Sequence, residues 1–414
     1  MSLPSSIDYQ RELPTLPPNA VSREIVLRPT NGATFAPNST LQFDFLNSGM
    51  IDPESVHIRY TYTVTAGAPC SLIGAPYIAP FSRSNLFLGS SLAESQTSYN
   101  QTVTALTNLK LDVSEKYGLQ SMYGYFGNGA GSLITNMDGR TCAAGEVGTF
   151  AGHLPNLLTN ADKLFPAFLA PQVRLELQMD SVANMFRLDA PATNFVITNA
   201  EIVYKQIDMG VEIENMIRAQ GDVMIRSSSF MNTASILPLG SQGNVSLVYS
   251  QRLASIKSAF LLMSNGAANS NGFGDSFDVC NGQGQYQISV AGVQHPQTAL
   301  SVSNNRAGVL ASTKSACGSL GDRHNSQSIN SVEWSYPENT ATTLIEPSKF
   351  IVGIDLEVVP TNDFILSGIS SQNSTISVDI NLGTATTVGH QVALLLHYDA
   401  IIEISADGFS SVKM

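Results

Sequence analysis

"LFPAFLAPQVRLELQM", residues 164–179, decides the reading of this chain. An apolar run broken by two prolines comes first. Polar and apolar residues then alternate without a miss, with Val173, Leu175, Leu177 and Met179 on one side and Gln172, Arg174, Glu176 and Gln178 on the other. Successive side chains of an extended strand point to opposite faces, so this spacing predicts a strand with one dry face and one wet face. Such strands belong to antiparallel sheets, and the dry face is expected to press on a second sheet about 10 Å away.

The same period recurs along the chain. "LQFDF" places Leu41, Phe43 and Phe45 on one face, and "VHIRYTYTV" does so with Val56, Ile58, Tyr60, Tyr62 and Val64. "IDLEV" (354–358) and "TISVDINL" (375–382) repeat the pattern late in the chain, where Ile376, Val378, Ile380 and Leu382 share a side. Two long apolar strands rhyme: "FVITNAEIVYKQI" (195–207) closes the first half and "QVALLLHYDAIIEI" (391–404) the second. The expected fold is all-β, with two related sandwiches of about 200 residues each, a size usual for one β domain.

Helical signals are few. "LPNLLTNADKLF" spaces Leu154, Leu157, Leu158, Ala161 and Leu164 at three and four, which predicts a short amphipathic helix ended by Pro166. "MGVEIENMIRAQG" predicts a second, at about 208–220, with Gly221 as its stop. Residues 124–150, 264–285 and 302–330 are dense in Gly, Ser and Asn and read as long loops, a length often found at functional surfaces.

Only 13% of residues are charged, which argues against long solvated helices and for uncharged loop surface. The 21 basic residues face 33 acidic ones, for a net charge of −12, and form no basic run. Direct nucleic-acid binding is therefore not expected. No run of 18 apolar residues suggests a membrane helix, and the N-terminus lacks the basic-then-apolar order of a signal peptide. Cys70, Cys142, Cys280 and Cys317 sit far apart with no metal-like spacing, so thiols in a reducing compartment are expected. The sequons at Asn38, Asn100, Asn244 and Asn373 are what chance yields in a chain rich in Asn, Ser and Thr.

No catalytic, cofactor-binding or metal-ligating residue is expected. There is no G-x-S-x-G elbow, and "GNGAG" (127–131) lacks the Lys-Ser/Thr that completes a phosphate loop. His57, His153, His295, His324, His390 and His397 show no HxxH or HExxH spacing. His397, Tyr398 and Asp399 adjoin in an apolar run. A strand turns neighbours to opposite faces, so a structural histidine is expected rather than a catalytic pair. Asp208, Glu212 and Glu214 read as a solvated helix face. Trp334 could stack on a sugar, but packing is the expected role.

Taken in order, these segments resemble the major capsid proteins of the double jelly-roll lineage of icosahedral DNA viruses. "IVLRPTNGATFAPNSTLQFDFLNSGMIDPESVHIRYTYTV" (25–64) is similar to that family's opening, and "SYNQTVTALTNL" (98–109) to the helical excursion that follows. Residues 154–179 resemble its short helix and Pro turn leading to an outward strand. "NFVITNAEIVYKQIDMGVEIENMI" (194–217) resembles the end of the first jelly roll and the connecting helix. "SQRLASIKSAFLLM" (250–263), "YQISVAGVQHPQTAL" (286–300), "FILSGISSQNSTISVDINL" and "VALLLHYDAIIEISADG" are similar to segments of its second half. Residues 264–285 and 302–330 match nothing in the pattern.

The resemblance implies two consecutive eight-stranded antiparallel jelly rolls. They would span 1–206, with an N-terminal arm at about 1–22, and 207–414. It further implies a pseudo-hexagonal homotrimer without enzymatic activity or cofactor, building an icosahedral shell in the virion. The implied partners are neighbouring capsomers, minor capsid or vertex proteins, and a membrane beneath the shell. The competing readings are a minor capsid or spike protein, a β-sandwich module that binds glycans, and a two-domain β-sandwich hydrolase.

Overall fold

The computed structural model describes residues 20–414 except 68–69, 73, 112–114, 116–117, 125–139, 187–191, 266–283, 303, 319, 321–333, 335–349, 359–365, 384, 387–388 and 406. Four antiparallel sheets dominate it, two from each half of the chain. In the first half, one sheet runs β10 (Val147–His153), β5 (His57–Thr65), β13 (Asn194–Asp208), β4 (Met50–Ile51), β11 (Phe165–Pro166). β1 (Val21–Leu27) and β2 (Thr34–Phe35) also pair with β13. Its companion runs β3 (Thr40–Asp44), β12 (Val173–Met179), β7 (Phe81–Leu88), β8 (Ser91–Thr97).

In the second half, β14 (Val223–Leu237), β21 (His390–Ile404), β16 (Ile256–Asn265) and β19 (Ile351–Asp355) form one sheet, with β22 (Ser410–Lys413) on β21. The other runs β15 (Gly243–Tyr249), β20 (Ile376–Leu382), β17 (Gly284–Val290), β18 (Val293–Ser301). A small separate ladder joins β6 (Cys70–Leu72) to β9 (Arg140–Cys142). The two-residue strands β2, β4 and β11, and the terminal β22, are additions to the large sheets. Without them, each sandwich comes to eight strands among the described residues.

Residues 164–179 are the place where the chain crosses between sheets. Phe165 and Pro166 pair with Ile51 and Met50 in the larger sheet. Pro166 sits on an outermost strand, where its missing N–H removes no ladder bond. Its carbonyl then accepts from the backbone of Leu169 and Ala170, both at 3.1 Å, and the chain turns across. β12 lands at the centre of the smaller sheet, between β3 and β7. Val173, Leu175, Leu177 and Met179 are all buried. On the wet face the Arg174 guanidinium lies 4.5 Å from the ring centre of its cross-strand neighbour Phe87 and 3.2 Å from the Glu176 carboxylate. β20 has the same construction in the second sandwich: Ile376, Val378, Ile380 and Leu382 are buried, and the residues between them are half-buried.

Among the described residues, short α-helices accompany the sheets: α1 (Tyr99–Lys110), α2 (Gln120–Tyr123), α3 (Val182–Met185), α4 (Val211–Ala219) and α5 (Arg306–Ala316). The helix expected over 154–164 is absent, and that segment is a turn. Its polar side chains capture the backbone first. Asn156 Oδ1 accepts from the N–H groups of Leu158 and Thr159 at 2.9 and 3.0 Å, and the Thr159 hydroxyl donates to the Leu154 carbonyl at 2.6 Å. Such local bonds compete with the helical ladder. Buried Leu154, Leu157 and Leu158 pin the turn to the core.

The loop expectations are corrected in part. Residues 140–142 and 147–150 of the first stretch, and 264–265 and 284–285 of the second, belong to strands. The third contains α5, whose first turn is capped by Asn305 Oδ1 accepting from Gly308 N–H at 2.9 Å. The remainder of these stretches, including 127–131, lies largely outside the described residues. "IDLEV" leaves the ladder after Asp355, although Leu356 stays buried.

Candidate functional site: the seam between the sandwiches

β8 is the outer strand of the first sandwich's smaller sheet, and β14 is the outer strand of the second sandwich's larger one. An outer strand offers unpaired polar groups to any neighbour. Here the two edges engage each other through side chains. Glu94, on β8, is only 4% exposed. One of its carboxylate oxygens accepts from the Gln96 amide at 2.7 Å and from the Ser229 hydroxyl of β14, and the other accepts from Leu157 N–H at 2.8 Å. Burial pushes the Glu94 carboxyl above the usual range even though three donors pull the other way.

The seam continues on both sides. The Thr97 hydroxyl donates to the Asn232 carbonyl at 3.1 Å, and the Asn232 amide donates to the Thr102 hydroxyl of α1 at 3.2 Å. The Ser227 hydroxyl donates to the Leu157 carbonyl at 2.6 Å, and the Asn160 amide to the Ser228 carbonyl at 2.9 Å. The 154–164 turn, misread as a helix, is therefore a splint between the sandwiches. Only an inward hydroxyl or amide recurring on β14 (Ser227, Ser229, Asn232) in place of apolar residues hints at it in the sequence.

A cleft of about 580 Å³ lies beside the seam, lined in part by Tyr77, Lys110, His153, Phe230 and His397. His397 stacks on Phe230, with ring centres 4.6 Å apart and planes 13° from parallel. Burial, with Lys257 and Lys110 nearby, drives its imidazole down to about 3, so it is neutral at ordinary pH. Asp399 is buried and engaged elsewhere: it accepts from the Ser255 hydroxyl at 3.2 Å and from Ser367 N–H at 3.3 Å. Among the described hydrogen bonds none joins His397 to Asp399, and Tyr398 is a buried core side chain. Trp334 is also buried, donating to the Ile351 carbonyl at 2.8 Å beside Phe350. It offers no face to a sugar.

Asp208 accepts from Gly210 N–H at 2.9 Å at the entry to α4, and Glu212 is exposed and Glu214 half-buried on that helix. His57 and His153 contact the backbone carbonyls of Ser55 and Val56. Among the described residues no group of three or more His, Cys, Asp or Glu could hold a metal ion, and no helix is long and apolar enough to cross a membrane. His324 and Cys280 lie outside the described residues. The contacts described across the seam are hydrogen bonds that join the two β-sandwiches.

No protein-family model matches the sequence, and no curated protein matches it. Solved structures do resemble it. PBCV-1 VP54, as fitted into a cryo-EM reconstruction of the virophage Sputnik, superposes with a TM-score of 0.66 over 98% of this chain and 99% of that one, at 9% identity. The Faustovirus major capsid protein gives 0.61 over 96% and 92%, at 9% identity. The mavirus major capsid protein gives 0.56 over 100% and 95%, at 11% identity. The chain shares the double jelly-roll fold of these proteins along nearly its whole length.

Proposed function

We propose that this chain is a viral major capsid protein that works by fitting against copies of itself. The observation that supports this reading most is end-to-end coverage. The likeness to capsid proteins takes in both sandwiches and the join between them, with little of either chain left over. A fold alone does not dictate function. What favours a structural role is the use made of the polar residues, which the seam spends on holding the sandwiches together.

In this reading the chain forms a homotrimer from units of residues 1–206 and 207–414. Three copies set six similar sandwiches about a threefold axis, which gives a nearly hexagonal outline, and head-to-tail contacts close the ring. Such capsomers tile an icosahedral shell, with neighbouring capsomers, minor vertex proteins and an underlying membrane as partners. Exposed apolar side chains such as Ile236, Leu239 and Phe409 are the kind that subunit contacts cover. The net charge of −12 disfavours stray adhesion to nucleic acid during assembly. Electron microscopy and native mass measurement of the purified protein at micromolar concentration test the proposal. Pseudo-hexagonal trimers are expected, and a purely monomeric species rejects it.

A further inference from the structure

Cys70 and Cys142 are far apart in the sequence, yet they face each other directly across the β6–β9 ladder. Directly opposed residues of an antiparallel pair project from the same face, with Cα atoms roughly 4.5–5.5 Å apart. A disulfide requires a Cα separation of about 4.4–6.8 Å. Both cysteines are thiols, and both side chains are fully buried, so they enter the same piece of core. The ladder that carries them is only three residues long on each side.

We propose that Cys70 and Cys142 are an oxidisable pair that closes to a disulfide on exposure to a disulfide oxidant such as oxidised glutathione. The bond would clamp the excursion from β6 to β9, which carries β7, β8 and α1, and with them the first sandwich's side of the seam. One thiolate attacks a sulfur of oxidised glutathione, and a glutathione thiolate leaves and takes up a proton. The second cysteine, as its thiolate, attacks the protein-bound sulfur of the mixed disulfide and expels the second glutathione. Two protein thiols are oxidised to one disulfide, and one glutathione disulfide is reduced to two thiols.

Access sets the rate. Both thiols lie in the core, so an oxidant reaches them only when the three-residue ladder opens locally. Burial and the Glu146 carboxylate hold the Cys70 thiol above its ordinary range, so the bond forms slowly at neutral pH. The pair therefore stays reduced in a reducing compartment and closes over hours in an oxidising one, whatever the chain assembles into.

The test uses the full chain, incubated for a day with oxidised glutathione at mildly alkaline pH. It is then denatured, alkylated and mapped by peptide mass spectrometry. The expected product is one cross-linked peptide joining Cys70 to Cys142, reversed by dithiothreitol, with Tm raised by about 5 °C. A Cys280→Ser/Cys317→Ser variant, which leaves only this pair, gives the same product. Recovery of Cys70 and Cys142 as separately alkylated peptides, or their pairing with other thiols, overturns the proposal. The map reads the pairing directly in the unmutated protein, so the result does not depend on any variant folding.

Discussion

The Ser229 hydroxyl, on the edge strand of the second sandwich, donates to the Glu94 carboxylate, on the edge strand of the first. Gln96 and Leu157 donate to the same carboxylate. One buried acid thus receives groups from both sandwiches, and its removal acts on the seam rather than on either core.

Glu94→Ala leaves the donors of Gln96, Ser229 and Leu157 without their acceptor in a buried place. The expected cost is about 3 kcal/mol, read by denaturant unfolding. A loss below about 1 kcal/mol shows that the acid does not hold the seam.

The same residue sets a pH trend. The folded-state carboxyl titrates above the ordinary 4.5, so its contribution to stability is complete below 4.5 and is lost as pH rises through the folded value. In Glu94→Gln that part of the stability-versus-pH curve flattens. An unchanged curve rules the assignment out.

His397 has the opposite sign. Its folded value of about 3 lies below the ordinary 6.5, so its contribution is present above 6.5 and disappears as pH falls from 6.5 toward 3. His397→Gln, which cannot charge, is expected to retain about 2 kcal/mol more of its neutral-pH stability at pH 4 than the parent does, the full shift being discounted for partial exposure. Equal acid sensitivity of the two proteins contradicts this.

Gly148 lies opposite Tyr62 in the β5–β10 ladder, and a Cβ there would overlap the tyrosine oxygen. Tyr62 cannot yield cheaply, because its hydroxyl donates to Glu146 at 2.8 Å and its ring stacks on Phe150 and Phe195. Gly148→Ala is expected to destabilise by roughly 1–3 kcal/mol in thermal unfolding. A neutral result means the ring has room to move.

Leu177 tests the opening stretch itself. It is fully buried on β12, so Leu177→Ala is expected to cost about 3 kcal/mol, while Gln178→Ala on the wet face changes stability by less than about 0.5 kcal/mol. Similar effects at both positions would mean that the strand is not one-sided.

What could be read from the sequence follows from physical range. β12, β5 and β20 announce themselves because one dry face imposes a period of two on consecutive residues. The 154–164 turn looks helical in sequence because its leucines keep helical spacing, while Asn156 and Thr159 bind the backbone. α5 was hidden because it packs through small groups. Thr313 accepts from Gly353 N–H at 2.9 Å and donates to the Ile351 carbonyl at 3.1 Å, and a Cβ on Gly353 would lie 2.9 Å from the Thr313 Cα. So close an approach leaves no room for the large apolar residues that mark a helix in sequence. Glu94 with Ser229, and Cys70 with Cys142, are separated by long stretches of chain, and no local pattern records such meetings.

Directional bonds along the line where the two halves touch have a mechanical consequence. A greasy contact can slide and re-form at many offsets, but a row of paired donors and acceptors keeps its energy at only one. The contact between the two halves is therefore expected to resist sliding. In the proposed shell, curvature is then expected to arise where one copy meets the next.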